Sequence, residues 1–133
     1  MSAASILVID DDLDIRNAIA DVLTDEGYHT VTAADGARGL EFLRAQSSYP
    51  SLIILDLRMP GMDGQQVGEA LRGDPKLKAI PIVLVSADAN VKKVALELGA
   101  IGYLRKPMEM DLLLEIVATA CAATPGESSV TRT

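Results

Sequence analysis

The feature that most constrains the fold is a repeated alternation between short apolar runs and segments with helical spacing. Short apolar runs bounded by turn residues are typical of strands that are buried on both faces. Between these runs, apolar residues recur every three or four positions, which is typical of amphipathic helices. Strands are predicted at 6–9, 29–34, 52–56, 80–85 and 101–104, and helices at about 13–25, 37–46, 64–71, 90–98 and 112–123.

Strict alternation of strands and helices indicates a three-layer α/β fold with a parallel sheet and right-handed crossovers. The second strand is the most polar, with Val31 between two threonines, so we place it at an edge of the sheet. Strand order 2-1-3-4-5 satisfies this condition and leaves the strand at 52–56 in the centre. The predicted fold is a flavodoxin-like, doubly wound sheet of five parallel strands with five helices.

Composition narrows the class of protein. The 133 residues and the hydrophobic fraction of 49% suit one compact domain with a real core. The formal net charge of -7 argues against a nucleic-acid-binding surface. The single cysteine, Cys121, excludes an intramolecular disulfide and favours a reducing compartment. The sequence shows neither a signal peptide nor an apolar run near the ~20 residues of a membrane span, so we expect a cytoplasmic protein.

Polar side chains follow four of the five predicted strands, at the point where each strand ends. Because the carboxyl ends of parallel strands meet at one edge of the sheet, we expect these side chains to share a crevice. Taken singly, each has an ordinary explanation as a cap, a turn residue or a surface lysine. Their common edge favours a functional site. The residues are Asp10, Asp11, Asp56, Ser86 and Lys106.

Three carboxylates in one crevice repel each other, and a divalent cation would relieve that repulsion. Oxygen ligands alone favour a hard ion, Mg²⁺ or Mn²⁺. A carboxylate beside such an ion can act as a nucleophile toward phosphorus. Lys106 would then hold a phosphate oxygen, and Ser86 would donate a hydrogen bond to another. The chemistry predicted from these residues is the formation and hydrolysis of an aspartyl phosphate.

The pattern closely resembles the receiver domain of two-component response regulators, over about residues 5 to 123. Four motifs match in order and spacing, which makes the resemblance far more specific than any one of them. They are Ile6-Leu-Val-Ile-Asp10-Asp11, Leu55-Asp56-Leu-Arg-Met-Pro-Gly-Met-Asp-Gly64, Val85-Ser86-Ala87 and Gly102-Tyr103-Leu-Arg-Lys106-Pro107. The resemblance implies a receiver domain at 1–123, and the polar residues 124–133 are expected to form a flexible tail or linker.

The resemblance also implies a role for each residue of the crevice. Asp56 would accept the phosphoryl group, and Mg²⁺ would be held by Asp10, Asp11, Asp56 and the backbone carbonyl of Arg58. Ser86 would be the switch hydroxyl and Lys106 the phosphate-binding lysine, followed by a cis bond to Pro107. Tyr103 would be the aromatic switch residue that changes rotamer. The helix 4–strand 5–helix 5 surface would then change and bind a partner.

Arg58 and Asp88 stand two positions beyond the acceptor and the switch hydroxyl. In the family that the chain resembles, such residues flank the phosphoryl group and tune its hydrolysis. Here they have opposite charges. Our hypothesis is that they pair across the mouth of the pocket and hinder the attacking water.

The resemblance implies a signalling switch rather than an enzyme, with a histidine kinase or phosphotransfer protein as donor. We expect a monomer or a weak, phosphorylation-dependent dimer, with no membrane partner. The chain would be either a stand-alone receiver or the N-terminal receiver of a longer regulator. Two alternatives stay open at this point. One is a phosphatase of the haloacid dehalogenase type, although Leu13 stands where Thr or Val would be expected, and the other is a phosphorylation-independent interaction module.

Overall fold

Five parallel strands and five helices alternate in a computed structural model that describes residues 4–122. The strands form one sheet in the order β2-β1-β3-β4-β5. The predicted fold class, strand order and central place of the third strand are therefore confirmed. The elements are β1 (Ser5–Ile9), α1 (Leu13–Asp25), β2 (His29–Ala33), α2 (Gly36–Arg44), β3 (Leu52–Asp56), α3 (Gly64–Arg72), β4 (Ile82–Ser86), α4 (Val91–Leu98), β5 (Gly102–Arg105) and α5 (Met110–Ala122).

The core lies on both faces of the sheet because successive strand side chains point to opposite sides. On β1, Leu7 and Ile9 pack with α2, α3 and α4, whereas Ile6 and Val8 pack with α1 and α5. Every residue of β3 and β4 is buried, which is the burial expected of central strands in a doubly wound sheet. The edge strand β2 exposes His29 and Thr32. Asp56 is therefore held at the end of the most enclosed part of the sheet.

Three of the helices begin at aspartate side chains that accept backbone N–H groups of the first turn. Asp12 caps α1, Asp35 caps α2, and Asp63 forms a reciprocal capping box with Gln66 at the start of α3. α4 differs, because its capping residue Asn90 makes no side-chain hydrogen bond to the helix. The start of α4 therefore lacks the side-chain cap that α1, α2 and α3 have, although its first residue, Val91, is buried.

Several predicted boundaries are wrong by one or two residues. β4 begins at Ile82 rather than at residue 80, because Ile80 donates its N–H to the carbonyl of Leu77 in a turn and Pro81 has no N–H to give. β5 covers 102–105 rather than 101–104. α5 begins at Met110, two residues before the apolar stripe that predicted it. The predicted tail at 124–133 lies outside the described residues.

Gly64 shows how closely α3 approaches the end of β3. A Cβ built on Gly64 would lie 2.3 Å from the backbone oxygen of Asp56 and 2.6 Å from the Cα of Leu57. The N–H of Gly64 also donates to the carbonyl of Leu57 at 2.9 Å. These contacts are to backbone atoms, which cannot move aside as a flexible side chain would. Glycine is therefore needed here to seat α3 beside Asp56.

We predict that Gly64→Ala lowers the free energy of unfolding by roughly 1–3 kcal/mol, the usual cost of overpacking a close-packed site. Urea denaturation measures this change. Gly73→Ala is the matched control, because its Cβ would meet nothing nearer than 3.4 Å. Equal stability of the two variants would contradict the prediction.

Candidate functional site

The residues predicted at the strand ends do meet at one edge of the sheet. Asp10 follows β1, Asp56 ends β3, Ser86 ends β4 and Lys106 follows β5. Asp10, Asp56 and Ser86 are buried, with at most 3% of their surface exposed. Asp11 is exposed at the rim. The structure thus places one hydroxyl, one ammonium and three carboxyl groups around a single crevice.

Asp10, Asp11 and Asp56 form an acidic cluster. One carboxylate oxygen from each lies within 4.8 Å of the others. Asp10 is oriented by the N–H of Asp12, which donates to its Oδ1 at 2.9 Å. These oxygen ligands suit a hard divalent cation such as Mg²⁺. The cluster could therefore hold a metal ion.

Lys106 is the positive charge that faces this cluster. Its Nζ lies 3.0 Å from Oδ2 of Asp10 and 3.3 Å from Oδ1 of Asp56. Burial is the largest single influence on Lys106 and works to lower its pKa, but hydrogen bonds and attraction from the two carboxylates outweigh it, so the pKa is raised. Lys106 therefore stays charged and bridges the ends of β1 and β3. Its bond to Pro107 is cis, as the resemblance implied.

Asp56 is the most perturbed acid of the crevice. Burial, followed by repulsion from Asp10, raises the pKa of Asp56 to about 7, although Lys106 and the N–H of Arg58 oppose the rise. The Arg58 N–H lies 3.4 Å from Oδ1 of Asp56. One lysine does not fully offset the burial of two neighbouring carboxylates. A cation or another positive group beside Asp56 would favour its ionised form.

Arg58 and Asp88 form an ion pair across the mouth of the crevice. Nε of Arg58 donates to Oδ2 of Asp88 at 2.6 Å, and a second guanidinium nitrogen contacts the same oxygen. Oδ1 of Asp88 accepts the N–H of Asn90 at 2.7 Å. The Asn90 N–H first, and then Arg58, hold the pKa of Asp88 below its usual range. The pair lies beside a small hollow of about 100 Å³.

Ser86 and Tyr103 lie on the same face of the sheet. In the register of β4 and β5, Leu84 is opposite Tyr103 and Ser86 is opposite Arg105. Leu84 belongs to the core under α4, and the half-buried Tyr103 packs against that core. The Ser86 hydroxyl oxygen accepts the N–H of Asp88 at 3.0 Å. A movement of Ser86 would therefore affect both the loop before α4 and the packing around Tyr103.

Sequence reasoning missed an apolar hollow of about 260 Å³ beside Lys106. Its walls come from the first turns of α1 and from the loop between β5 and α5. The sequence offered a signal for this hollow: Ile15 and Ala18 lie on one face of α1, and Met108 and Met110 are close together in the loop before α5 and at its start. The lining residues are Asp14, Ile15, Ala18, Lys106, Pro107, Met108 and Met110.

Known proteins of similar sequence and structure identify the family of this chain. A family model described as the response regulator receiver domain matches residues 6–118. The chemotaxis protein CheY of Treponema pallidum is 37% identical over 116 residues, which cover 86% of this chain and 80% of that protein. An NtrX-like response regulator of Rickettsia bellii is 32% identical over 128 residues, which cover 93% of this chain but only 26% of that protein.

Among solved structures, chemotaxis protein CheY4 of Vibrio cholerae superposes with a TM-score of 0.80 at 32% identity, covering 90% of this chain and 99% of that one. Several relatives are longer regulators, and the chain spans less than half the length of the first two. No helix within residues 4–122 is long and apolar enough to cross a membrane. The matches give no support to the haloacid dehalogenase alternative. The chain belongs to the response regulator receiver domain family.

Proposed function

We propose that Asp56 accepts a phosphoryl group from a histidine kinase or phosphotransfer protein and that the chain then changes its partner-binding surface. The observation that carries this proposal is the position of Asp56. It ends the central strand, is buried, and shares its crevice with two further carboxylates and with Lys106. This arrangement presents a carboxylate oxygen to an incoming phosphorus atom, with cationic partners for the phosphoryl oxygens nearby.

The residues present fit a magnesium ion. Asp10, Asp11, Asp56 and the backbone carbonyl of Arg58 would hold Mg²⁺ or Mn²⁺, because all four supply oxygen ligands. The raised pKa of Asp56 also reports a surplus of buried negative charge that a cation would relieve. When bound, the ion would neutralise charge on the phosphoryl oxygens.

Apart from the bond that Asp56 forms, the protein contributes to the transfer mainly by positioning the groups and stabilising charge. An oxygen of Asp56 attacks phosphorus, and the bond between phosphorus and the donor atom breaks, with its electron pair leaving on the donor. Lys106 holds a phosphoryl oxygen as a point charge, and Ser86 donates its hydroxyl proton in a hydrogen bond to another. Hydrolysis reverses the addition when water attacks phosphorus and the Asp56 carboxylate leaves.

Phosphorylation adds about -1.5 to -2 charges at neutral pH, and these charges need partners. Ser86 moves toward the new group, and Tyr103 fills the space that opens beside β4. The surface formed by α4, β5 and α5 changes with them and binds the downstream protein. The chain therefore acts as a switch that catalyses only its own phosphorylation and dephosphorylation.

The proposal extends to the setting of the domain. Residues 1–123 form the receiver domain, and the chain acts in the cytoplasm. The acidic charge of the chain, -7, fits protein partners better than nucleic acid. The chain is a monomer, or a weak dimer after phosphorylation. The downstream target is a protein or a tethered effector domain.

The first prediction is that the protein incubated with Mg²⁺ and acetyl phosphate gains one phosphoryl group, measured by intact mass. Chelation of Mg²⁺ or the change Asp56→Asn is expected to abolish the gain, because each removes a required part of the site. Asp21→Asn, an exposed carboxylate on α1, is the control and should label as the wild type does. Failure of the wild type to label with any donor would instead favour an interaction module.

The second prediction concerns pH in protein freed of divalent cations. The pKa of Asp56 is raised to about 7, so the folded protein binds a proton between pH ~4 and 7 that the unfolded chain has lost. Wild-type stability therefore falls as pH rises through this window. Asp56→Asn should raise the free energy of unfolding at pH 8 by roughly 1–4 kcal/mol, because a rise of about three pKa units sets the upper value and the loss of the attraction to Lys106 reduces it.

This gain should shrink as pH falls from 7 toward 4, because the cost of protonating the carboxylate on folding decreases as pH approaches the pKa of the unfolded chain. Urea denaturation across the pH range measures it. Asp21→Asn again serves as the control and should lack the gain. A benefit of Asp56→Asn that is the same at pH 5 and pH 8 would show that the carboxylate is not strained by its surroundings.

The third prediction tests the pair of Arg58 and Asp88. The combined change Arg58→Gln and Asp88→Asn keeps the side chains similar in size but removes both charges from the pocket mouth. We expect phosphate loss about two- to fivefold faster, the range that an exposed ion pair of up to ~1 kcal/mol provides. The lifetime is measured by intact mass after removal of the donor. An unchanged lifetime would contradict the hypothesis that this pair hinders the water that attacks the phosphoryl group.

A further inference from the structure

The C-terminal end of α4 is fastened by one arginine of the neighbouring helix. Arg72, the last residue of α3, donates from Nε to the carbonyl of Leu98 at 2.7 Å and from a terminal nitrogen to that of Gly99 at 3.3 Å. Its other terminal nitrogen donates to the carbonyls of Lys78 at 2.7 Å and Ile80 at 3.2 Å. A single guanidinium thus ties together α3, the loop before β4 and the end of α4.

Apolar packing fixes the same end independently. A Cβ on Gly68 would lie 2.4 Å from the side chain of Leu98, so Leu98 rests directly on the backbone of α3. Gly99 then ends the helix in the left-handed conformation, with a φ of 68°. Ala100 donates its N–H back to the carbonyl of Ala95 at 2.9 Å. The last turn of α4 is therefore held by its own cap, by Leu98 and by Arg72.

The N-terminal end of α4 is held by Val91, which is buried in the core, but among the described contacts no side-chain hydrogen bond caps this end or ties it to α3. Asn90 makes no side-chain cap, and the loop before it is tied by Asp88, which pairs with Arg58. Three quarters of the Arg58 side chain, 74%, is exposed, whereas the Asp88 side chain is 13% exposed. An ion pair with an exposed arginine holds its partner weakly because water and salt compete for the guanidinium. This end of α4 is also the one that the loop of residues 87–90 connects to Ser86.

We infer that α4 is a lever anchored at its C-terminal end by Arg72, so that phosphorylation of Asp56 displaces mainly its N-terminal end. The inference rests on the proposed function of Asp56. Arg72 does not touch the reacting atoms. It is a positioning residue that donates to four carbonyls, and its two hydrogen bonds to Leu98 and Gly99 would have to be broken if the end of α4 moved.

The desolvation of Arg72 supports this role. Partial burial lowers the pKa of its guanidinium, which exchanges part of its contact with water for hydrogen bonds to carbonyl oxygens. A planar guanidinium reaches several acceptors at once, and lysine cannot copy this fork. Movement of the last turn of α4 would break the two hydrogen bonds from Arg72 to Leu98 and Gly99. Movement of the first turn would require Val91 to repack but would break no hydrogen bond from Arg72.

Distances between spin labels test the lever. In a Cys121→Ala background, one label replaces Glu41 on α2 and the other replaces either Lys93 or Glu97 on α4, all three exposed sites. The two α4 sites are four residues apart and so lie on the same helix face. Distances are measured by double electron–electron resonance before and after addition of Mg²⁺ and beryllofluoride, which binds a carboxylate as a mimic of the phosphoryl group.

The distance from Glu41 to Lys93 should change by about 1–2 Å, the scale of helix shifts in switching proteins. The distance from Glu41 to Glu97 should change by no more than half as much. Arg72→Gln should make the two changes equal. Arg44→Gln, which alters the last residue of α2 in the same way, should keep the wild-type ratio. Where Arg72→Gln unfolds, Arg72→Lys replaces it.

The outcomes separate the two proposals. Binding of beryllofluoride is followed by ¹⁹F NMR, and a signal that is absent, or that persists in Asp56→Asn, overturns the proposed function. Binding at Asp56 with equal changes at both α4 positions, or with none, overturns the lever and leaves the proposed function standing. A wild-type ratio retained in both folded Arg72 variants overturns the role given to Arg72.

Discussion

Repulsion between carboxylates at the end of a buried sheet is the constraint on which the other features depend. Asp10 and Asp56 have almost no contact with water, and Lys106 is the cation that lies within 4 Å of both. Ionised groups so placed are unfavourable unless they are paired. Burial and repulsion from Asp10 raise the pKa of Asp56, and Lys106 offsets this rise only in part. The crevice is therefore arranged to accept further positive charge, and receiver domains generally bind Mg²⁺.

The sheet can hold the repelling carboxylates close together because it is tightly packed around Asp56. β3 is buried along its whole length between β1 and β4, and both faces are covered by helices. Gly64 brings the first turn of α3 against the backbone of Asp56 and Leu57. A close-packed interior does not relax by small continuous movements. The carboxylates are thus kept together by the core rather than by any attraction between themselves.

The parts predictable from the sequence are those that topology alone determines. Asp10, Asp56, Ser86 and Lys106 could be assigned to one edge because each follows a strand of a parallel sheet. The pairing of Arg58 with Asp88 could be predicted because the two residues carry opposite charges and each lies two positions beyond a strand end at the mouth of the crevice. Arg72 could not be foreseen, because its acceptors are backbone carbonyls, which every residue has. The start of β4 was misplaced since Ile80 is apolar yet belongs to a turn.

The two ends of α4 show how a local charge can be converted into a directed change of surface. Turning a switch almost completely needs about 5.5 kcal/mol of preference for one state. An exposed pair such as Arg58 with Asp88 resists movement by only ~1 kcal/mol or less. Moving the end of α4 would break the two hydrogen bonds from Arg72 to Leu98 and Gly99 and disturb the packing of Leu98 against Gly68. Strain introduced near Ser86 therefore finds its least costly release at the start of α4.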